Sequence, residues 1–212
     1  MKDNDVRTWL YYHLPLTLAV QKDKMLRKLI GKNIGSLLDV GCGIGKYKVF
    51  AKHYSVGIDI FENSLEMSKR NGYYYELILG DVRNLDFANK SFDGVICTDV
   101  IEHISKEDGY KLLDKMESIS RKIIVITTPW GSDLIKRHNP NPYNDHHSGW
   151  MPEEFEARGY KIIPLNSLRW RRYSDGWAET AIHYGLSILC SPIVYLFPKW
   201  LSDNFMAVKE IE

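Results

Sequence analysis

The sequence predicts an α/β fold built on a mostly parallel sheet, and three observations carry that expectation. From residue 34 onward, short apolar runs alternate with amphipathic segments, the rhythm of strands exchanged with helices. The first apolar run leads straight into a glycine-rich stretch, "LLDVGCGIGKYKVF" at residues 37–50. Later runs end at or beside an aspartate: Asp59, Asp81 and Asp99. Ligands of open α/β sheets bind outside the carboxyl ends of the strands, so these residues are expected to share one site.

Strands are expected near 35–40, 55–60, 74–79, 93–98, 122–127, 160–166 and 204–210, and helices near 17–31, 46–53, 62–72, 105–119 and 152–158. The segment 105–119 is the clearest helix. Ser105 suits its N-cap, Glu107 and Asp108 complement its dipole, and Tyr110, Leu113, Met116 and Ile119 recur on one face. Pro152 suits the first turn of the next helix and Gly159 its exit. Two regions fall outside the alternation. Residues 128–150 form a long loop rich in Pro, Asn and His, and residues 167–203 hold a basic-aromatic tract followed by an apolar stretch.

The 212 residues fit a single domain (1–212): a leading helical lid (1–33), a core (34–166) and an insert (167–203) before the last strand. A net charge of +1 argues against a dedicated nucleic-acid binder. Cys42, Cys97 and Cys190 are odd in number and far apart, which suggests a reducing, cytoplasmic setting without a disulfide framework or zinc site. The N-terminus lacks the pattern of a secretory signal. The apolar stretch 184–200 is interrupted by Pro192 and Pro198 and is short of the roughly 20 residues that span a bilayer. The basic-aromatic tract and apolar stretch at 169–200 leave contact with a membrane surface open.

The glycines demand a sharp turn or a close ligand. A phosphate-binding P-loop requires glycine where Val40 stands and a hydroxyl residue where Tyr47 stands. A dinucleotide fingerprint requires a third glycine where Lys46 stands, which weakens a nicotinamide-nucleotide oxidoreductase. What remains is Asp39-x-Gly41-x-Gly43-x-Gly45 at a strand end. Asp59 closes the second strand, where a carboxylate can accept hydrogen bonds from two ribose hydroxyls.

Together with "LILGDVRNLDF", "FDGVICTDVIEHI" and "IIVITTPWG", this pattern resembles the motifs of class I S-adenosylmethionine-dependent methyltransferases over roughly residues 34–163. The resemblance implies a three-layer α/β/α sandwich of Rossmann-like type. Its seven-stranded sheet would run in the order 3-2-1-4-5-7-6, with the last strand antiparallel. The cofactor is then S-adenosyl-L-methionine and the product S-adenosyl-L-homocysteine. Asp39, Gly41, Gly43 and Gly45 would form the loop around the cofactor, Asp59 and Ile60 would meet the ribose, and Asp81 and the Val82 N–H the adenine. Asp99 would lie beside the sulfonium. Methyl transfer would be an in-line displacement to an oxygen or nitrogen of a small-molecule or lipid-linked acceptor.

A general base is required only if the acceptor starts protonated. His146 and His147 precede the fifth-to-sixth crossover, and histidine is the residue type suited to that role at neutral pH. Tyr12, His103, Tyr143 and Trp150 are the expected acceptor contacts. No metal is expected, because the adjacent Asp145, His146 and His147 do not readily converge on one ion. A cofactor-binding protein without catalysis is the remaining alternative.

Overall fold

A computed structural model describes residues 18–31, 33–131, 142–168 and 202–211. Residues 1–17 of the leading segment, Tyr12 among them, and the membrane-contact candidate 169–200 lie outside the described residues. Seven strands form one sheet in the order β3-β2-β1-β4-β5-β7-β6. They are β1 (Ser36–Val40), β2 (Tyr54–Asp59), β3 (Glu76–Leu79), β4 (Phe92–Thr98), β5 (Ser120–Pro129), β6 (Lys161–Leu168) and β7 (Ser202–Glu210). Strands β1 to β5 pair in parallel, and β7 inserts antiparallel between β5 and β6. The chain order reverses between β1 and β4, which opens a crevice at their carboxyl ends.

The central strands are buried on both faces, as the apolar runs "LLDV" and "VIC" require. One face packs Leu38, Val95, Leu113, Met116, Ile124 and Phe205, and the other packs Leu26, Leu37, Phe50, Ile96, Val125 and Met206. Among the described residues, four helices flank the sheet: α1 (Leu18–Leu29), α2 (Glu62–Asn71), α3 (Lys106–Ile119) and α4 (Pro152–Glu156). Ser105 caps α3 by accepting a hydrogen bond from the Asp108 N–H at 3.1 Å, and Pro152 opens α4.

Three local expectations are corrected. The segment 46–53 is a 3-10 turn at Lys48–Lys52 rather than an α-helix: within the turn only Val49 and Phe50 bury, and with the preceding Tyr47 they make too short an apolar face for a longer helix. The buried stripe of α3 is Gly109, Leu112, Leu113, Met116 and Ile119, while Tyr110 is exposed. Tyr110 donates its hydroxyl hydrogen to Glu154 at 2.6 Å and lays its ring against Trp150. Helix α4 stops at Glu156, and Gly159 leaves it at a φ of 84°.

Candidate functional site

A cleft of about 860 Å³ opens at the carboxyl ends of β1, β2 and β4. Its walls include Gly41, Gly43, Asp59, Ile60, Asp81, Val82, Asp99, His103, Tyr143 and His147. The volume falls within the usual range for small-molecule sites.

The glycine loop is stitched to β2 by hydrogen bonds from the Gly41 and Cys42 N–H groups to the Ile58 carbonyl, at 2.8 and 3.0 Å. Its three glycines have different reasons to be there. A Cβ on Gly41 would stand 2.3 Å from Val100, and one on Gly45 would stand 2.5 Å from the Ser68 hydroxyl. Those two admit close packing. Gly43, at a φ of 53°, has open space where its Cβ would be, so it alone leaves an unfilled cradle at the cleft wall. Gly45 is not among the lining residues; it serves the contact with α2.

Asp59 is held by two backbone donors, the Gly43 N–H at 2.8 Å and the Phe61 N–H at 2.9 Å. Each of its oxygens keeps further acceptor capacity, which suits a pair of hydroxyls in the cleft. Asp81 accepts from the Arg83 N–H at 2.9 Å and from the Arg83 guanidinium at 2.5–3.0 Å. Those bonds hold its carboxyl below the usual range. Asp39 turns away from the cleft. Burial pushes its pKa up to about 7 against the opposing hydrogen bond from the Tyr74 hydroxyl, 2.5 Å away. Its second oxygen is buried without a protein partner.

Asp99 adopts a φ of 56° at the end of β4 and faces the cleft. Lys22 of α1 reaches it, with Nζ 2.5 Å from both carboxylate oxygens, and Thr127 donates at 3.1 Å. Burial favours the neutral acid, but the Lys22 ammonium prevails and holds the Asp99 carboxyl below its usual range.

Glu102 and His103 follow on a 3-10 turn and meet the 142–150 loop. The Glu102 carbonyl accepts from the His147 N–H at 2.8 Å and the Ser148 N–H at 3.1 Å, which fastens the loop to the turn. The Glu102 side chain is buried and accepts from the Thr128 hydroxyl at 3.0 Å. Burial, and then the neighbouring Asp99 charge, push its pKa up to about 8. His146 sets its ring against His103, with centroids 4.9 Å apart, whereas His147 lines the cleft.

Trp150 is corrected outright as an acceptor contact. It is fully buried, its indole N–H donates to Ser148 at 3.0 Å, and Lys106 stands 3.6 Å above its ring. Its ring instead fills the space left by Gly109. Sequence reasoning missed Lys22 and Tyr74. Lys22 was detectable, because it lies at i, i+4 and i+8 with Leu26 and Ile30 and therefore sits on the buried stripe of α1.

Among the described residues, no helix is long and apolar enough to cross a membrane. The cleft passes the test of fit for the cofactor implied by the motifs. The open cradle at Gly43 and the paired ribose-type acceptors of Asp59 are where a nucleoside-linked amino acid needs space and hydrogen bonds.

Residues 38–122 match the family described as a methyltransferase domain. An uncharacterized protein of Methanocaldococcus jannaschii is 29% identical over 145 residues, covering 68% of this chain and 63% of that protein. The human protein named probable tRNA methyltransferase 9B is 40% identical over 110 residues, covering 49% of this chain and 23% of its own length. The chain thus spans less than two thirds of either relative. A crystal structure of an S-adenosylmethionine-dependent methyltransferase from Archaeoglobus fulgidus superimposes with a TM-score of 0.62 at 20% identity, covering 96% of this chain and 99% of that one. Residues 38–122 thus match a methyltransferase domain, and the strand order is that of the Rossmann-like methyltransferase fold.

Proposed function

We propose that the chain transfers a methyl group from S-adenosylmethionine to an oxygen or nitrogen of a small-molecule or lipid-linked acceptor. The observation that carries this reading is the convergence of Gly43, Asp59, Asp81 and Asp99 on one cleft from the ends of different strands. When bound, the cofactor supplies a sulfonium methyl group that an in-line lone pair can displace, leaving S-adenosylhomocysteine. The protein's own residues bind and orient. Asp59 accepts from the ribose hydroxyls, with its carboxylate aimed by the Gly43 and Phe61 N–H groups. Asp81 and the Val82 N–H serve the adenine edge, and Asp99 faces the cleft where transfer occurs. Holding two reactants in line can supply roughly 7–11 kcal/mol of the barrier.

His147 is the base of this reading. It lines the cleft, and its backbone is anchored on Glu102, so its side chain is held near an acceptor hydroxyl or ammonium proton. Tyr143 and His103 line the same wall. A nucleic-acid acceptor is the second reading, favoured by the 40% identity to a protein named as a tRNA methyltransferase; near-neutral charge does not outweigh it.

The test is transfer of isotope-labelled methyl from S-adenosylmethionine into panels of small alcohols and amines, lipid-linked acceptors and bulk tRNA. Label in the first two panels supports the reading, and label confined to tRNA replaces it with the second. His147→Ala is expected to lower kcat at least tenfold while the cofactor affinity changes little.

A further inference from the structure

Three ligand-bearing side chains converge beside the cleft although the sequence separates one of them by more than forty positions. Glu102, His103 and His146 each offer one potential ligand atom, and these atoms all lie within 4.8 Å of one another. Around a first-row divalent cation, with bonds of about 2.0–2.2 Å, ligand atoms stand about 3–4 Å apart, so small inward rotations close the set. Two imidazoles and one carboxylate form a donor set suited to Zn²⁺, Mn²⁺, Fe²⁺ or Co²⁺ and ill suited to Ca²⁺.

The surroundings look built rather than accidental. The Glu102 carboxylate is buried, with only 2% exposure, and is oriented by the Thr128 hydroxyl. The His103 Nδ1 lies 3.0 Å from the Asp145 carbonyl, which can only accept, so Nδ1 carries the proton and Nε2 the lone pair. Such an outer hydrogen bond is how metal-ligating histidines are commonly fixed in one tautomer. The two carrying segments are tied together by the Glu102 carbonyl, which accepts from the His147 and Ser148 N–H groups. His103 also lines the cleft, so a cation held by these three would have open coordination positions toward it.

We propose that Glu102, His103 and His146 form a site for a divalent transition-metal cation at the edge of the cleft, with open positions for an oxygen of the acceptor. The role toward the acceptor rests on the methyltransferase reading; the binding of the cation does not. This reading assigns His146 to the metal and leaves His147 free for proton transfer. It also narrows the acceptor to a molecule that presents a hydroxyl or carboxylate oxygen to a cation.

The experiment is calorimetric titration of chelator-treated protein with Mn²⁺, Zn²⁺ and Co²⁺, together with the visible absorption of the Co²⁺ form. One tight site per chain is expected, with a Co²⁺ spectrum of mixed nitrogen and oxygen ligation. His146→Ala and Glu102→Gln are expected to weaken that site at least tenfold. His146 is partly exposed and its alanine variant should fold, which unfolding midpoints of both variants will check. S-adenosylhomocysteine is titrated into the same metal-free samples. Cofactor binding with no cation site, or with a cation site unchanged in both variants, overturns the metal proposal alone. A metal site without cofactor binding supports the site and removes its role in methyl transfer. Binding of neither overturns both.

Discussion

The ammonium of Lys22 lies 2.5 Å from both carboxylate oxygens of Asp99, although 77 positions separate the two residues. Lys22 is only 1% exposed, while 39% of the Asp99 side chain remains open. The pair therefore joins the leading helix to the floor of the cleft. A buried lysine is costly unless paired, so an ionised Asp99 favours the docking of α1 in this register.

Lys22→Met is expected to destabilise the fold by about 1–3 kcal/mol, less than a fully buried pair because Asp99 faces solvent. Cofactor affinity should fall as well, since Asp99 loses the partner that fixes it. Chemical denaturation and calorimetry check both. Wild-type values in both would detach α1 from the site.

Asp39 makes stability depend on pH with an unusual sign. In the unfolded chain its carboxyl ionises near the ordinary value of 3.8, whereas burial raises the folded value to about 7. Between those values the folded state holds the extra proton, so this residue's contribution falls as pH rises from 4 to 7. Asp39→Asn removes the effect and retains an acceptor for Tyr74. The stability of the variant relative to wild type should therefore rise by about 2–4 kcal/mol across that window. Denaturation midpoints at pH 4.5, 6 and 7.5 measure it; a constant difference contradicts the assignment.

Gly109→Ala sets two effects against each other. Helix propensity favours alanine by about 1 kcal/mol, but a Cβ there would stand 2.3 Å from the buried Trp150 ring. Overpacking of this kind costs about 1–3 kcal/mol, and Trp150, wedged among Tyr110, Phe155 and Lys106, has little room to retreat. A net loss of stability is expected by thermal unfolding. A gain would show that the indole can shift.

The fold was legible because its signals are local and repeated. Every strand matched an apolar run, and the glycine loop and three aspartates fell at strand ends as expected. The site was legible only in part. Asp59 and Asp99 line the cleft at strand ends, but nothing in the local sequence announces that Tyr74 reaches Asp39, or that Arg83 folds back onto Asp81. Trp150 turns inward, and position in a loop does not reveal which way a side chain points. The helix expected at 46–53 failed for another reason: glycine turns and Lys-rich spacing leave too little apolar surface to hold more than a 3-10 turn.

Asp59→Ala should weaken S-adenosylhomocysteine binding by about 1.5–3 kcal/mol, through lost hydrogen bonds to a charged acceptor. The Gly43 N–H also loses its partner, so part of the loss reflects a looser loop. Asp59→Asn, which keeps one acceptor oxygen, should fall between the two. Equal affinity for all three proteins would remove Asp59 from the site.

The most direct measurement is thermal unfolding with S-adenosylmethionine, S-adenosylhomocysteine, NAD and NADP, each followed by calorimetry. A ligand at 100 times its dissociation constant stabilises the native state by about 2.7 kcal/mol, a readily visible shift. Stabilisation by the two S-adenosyl compounds alone is the predicted result. Stabilisation by the nicotinamide nucleotides alone would contradict the account.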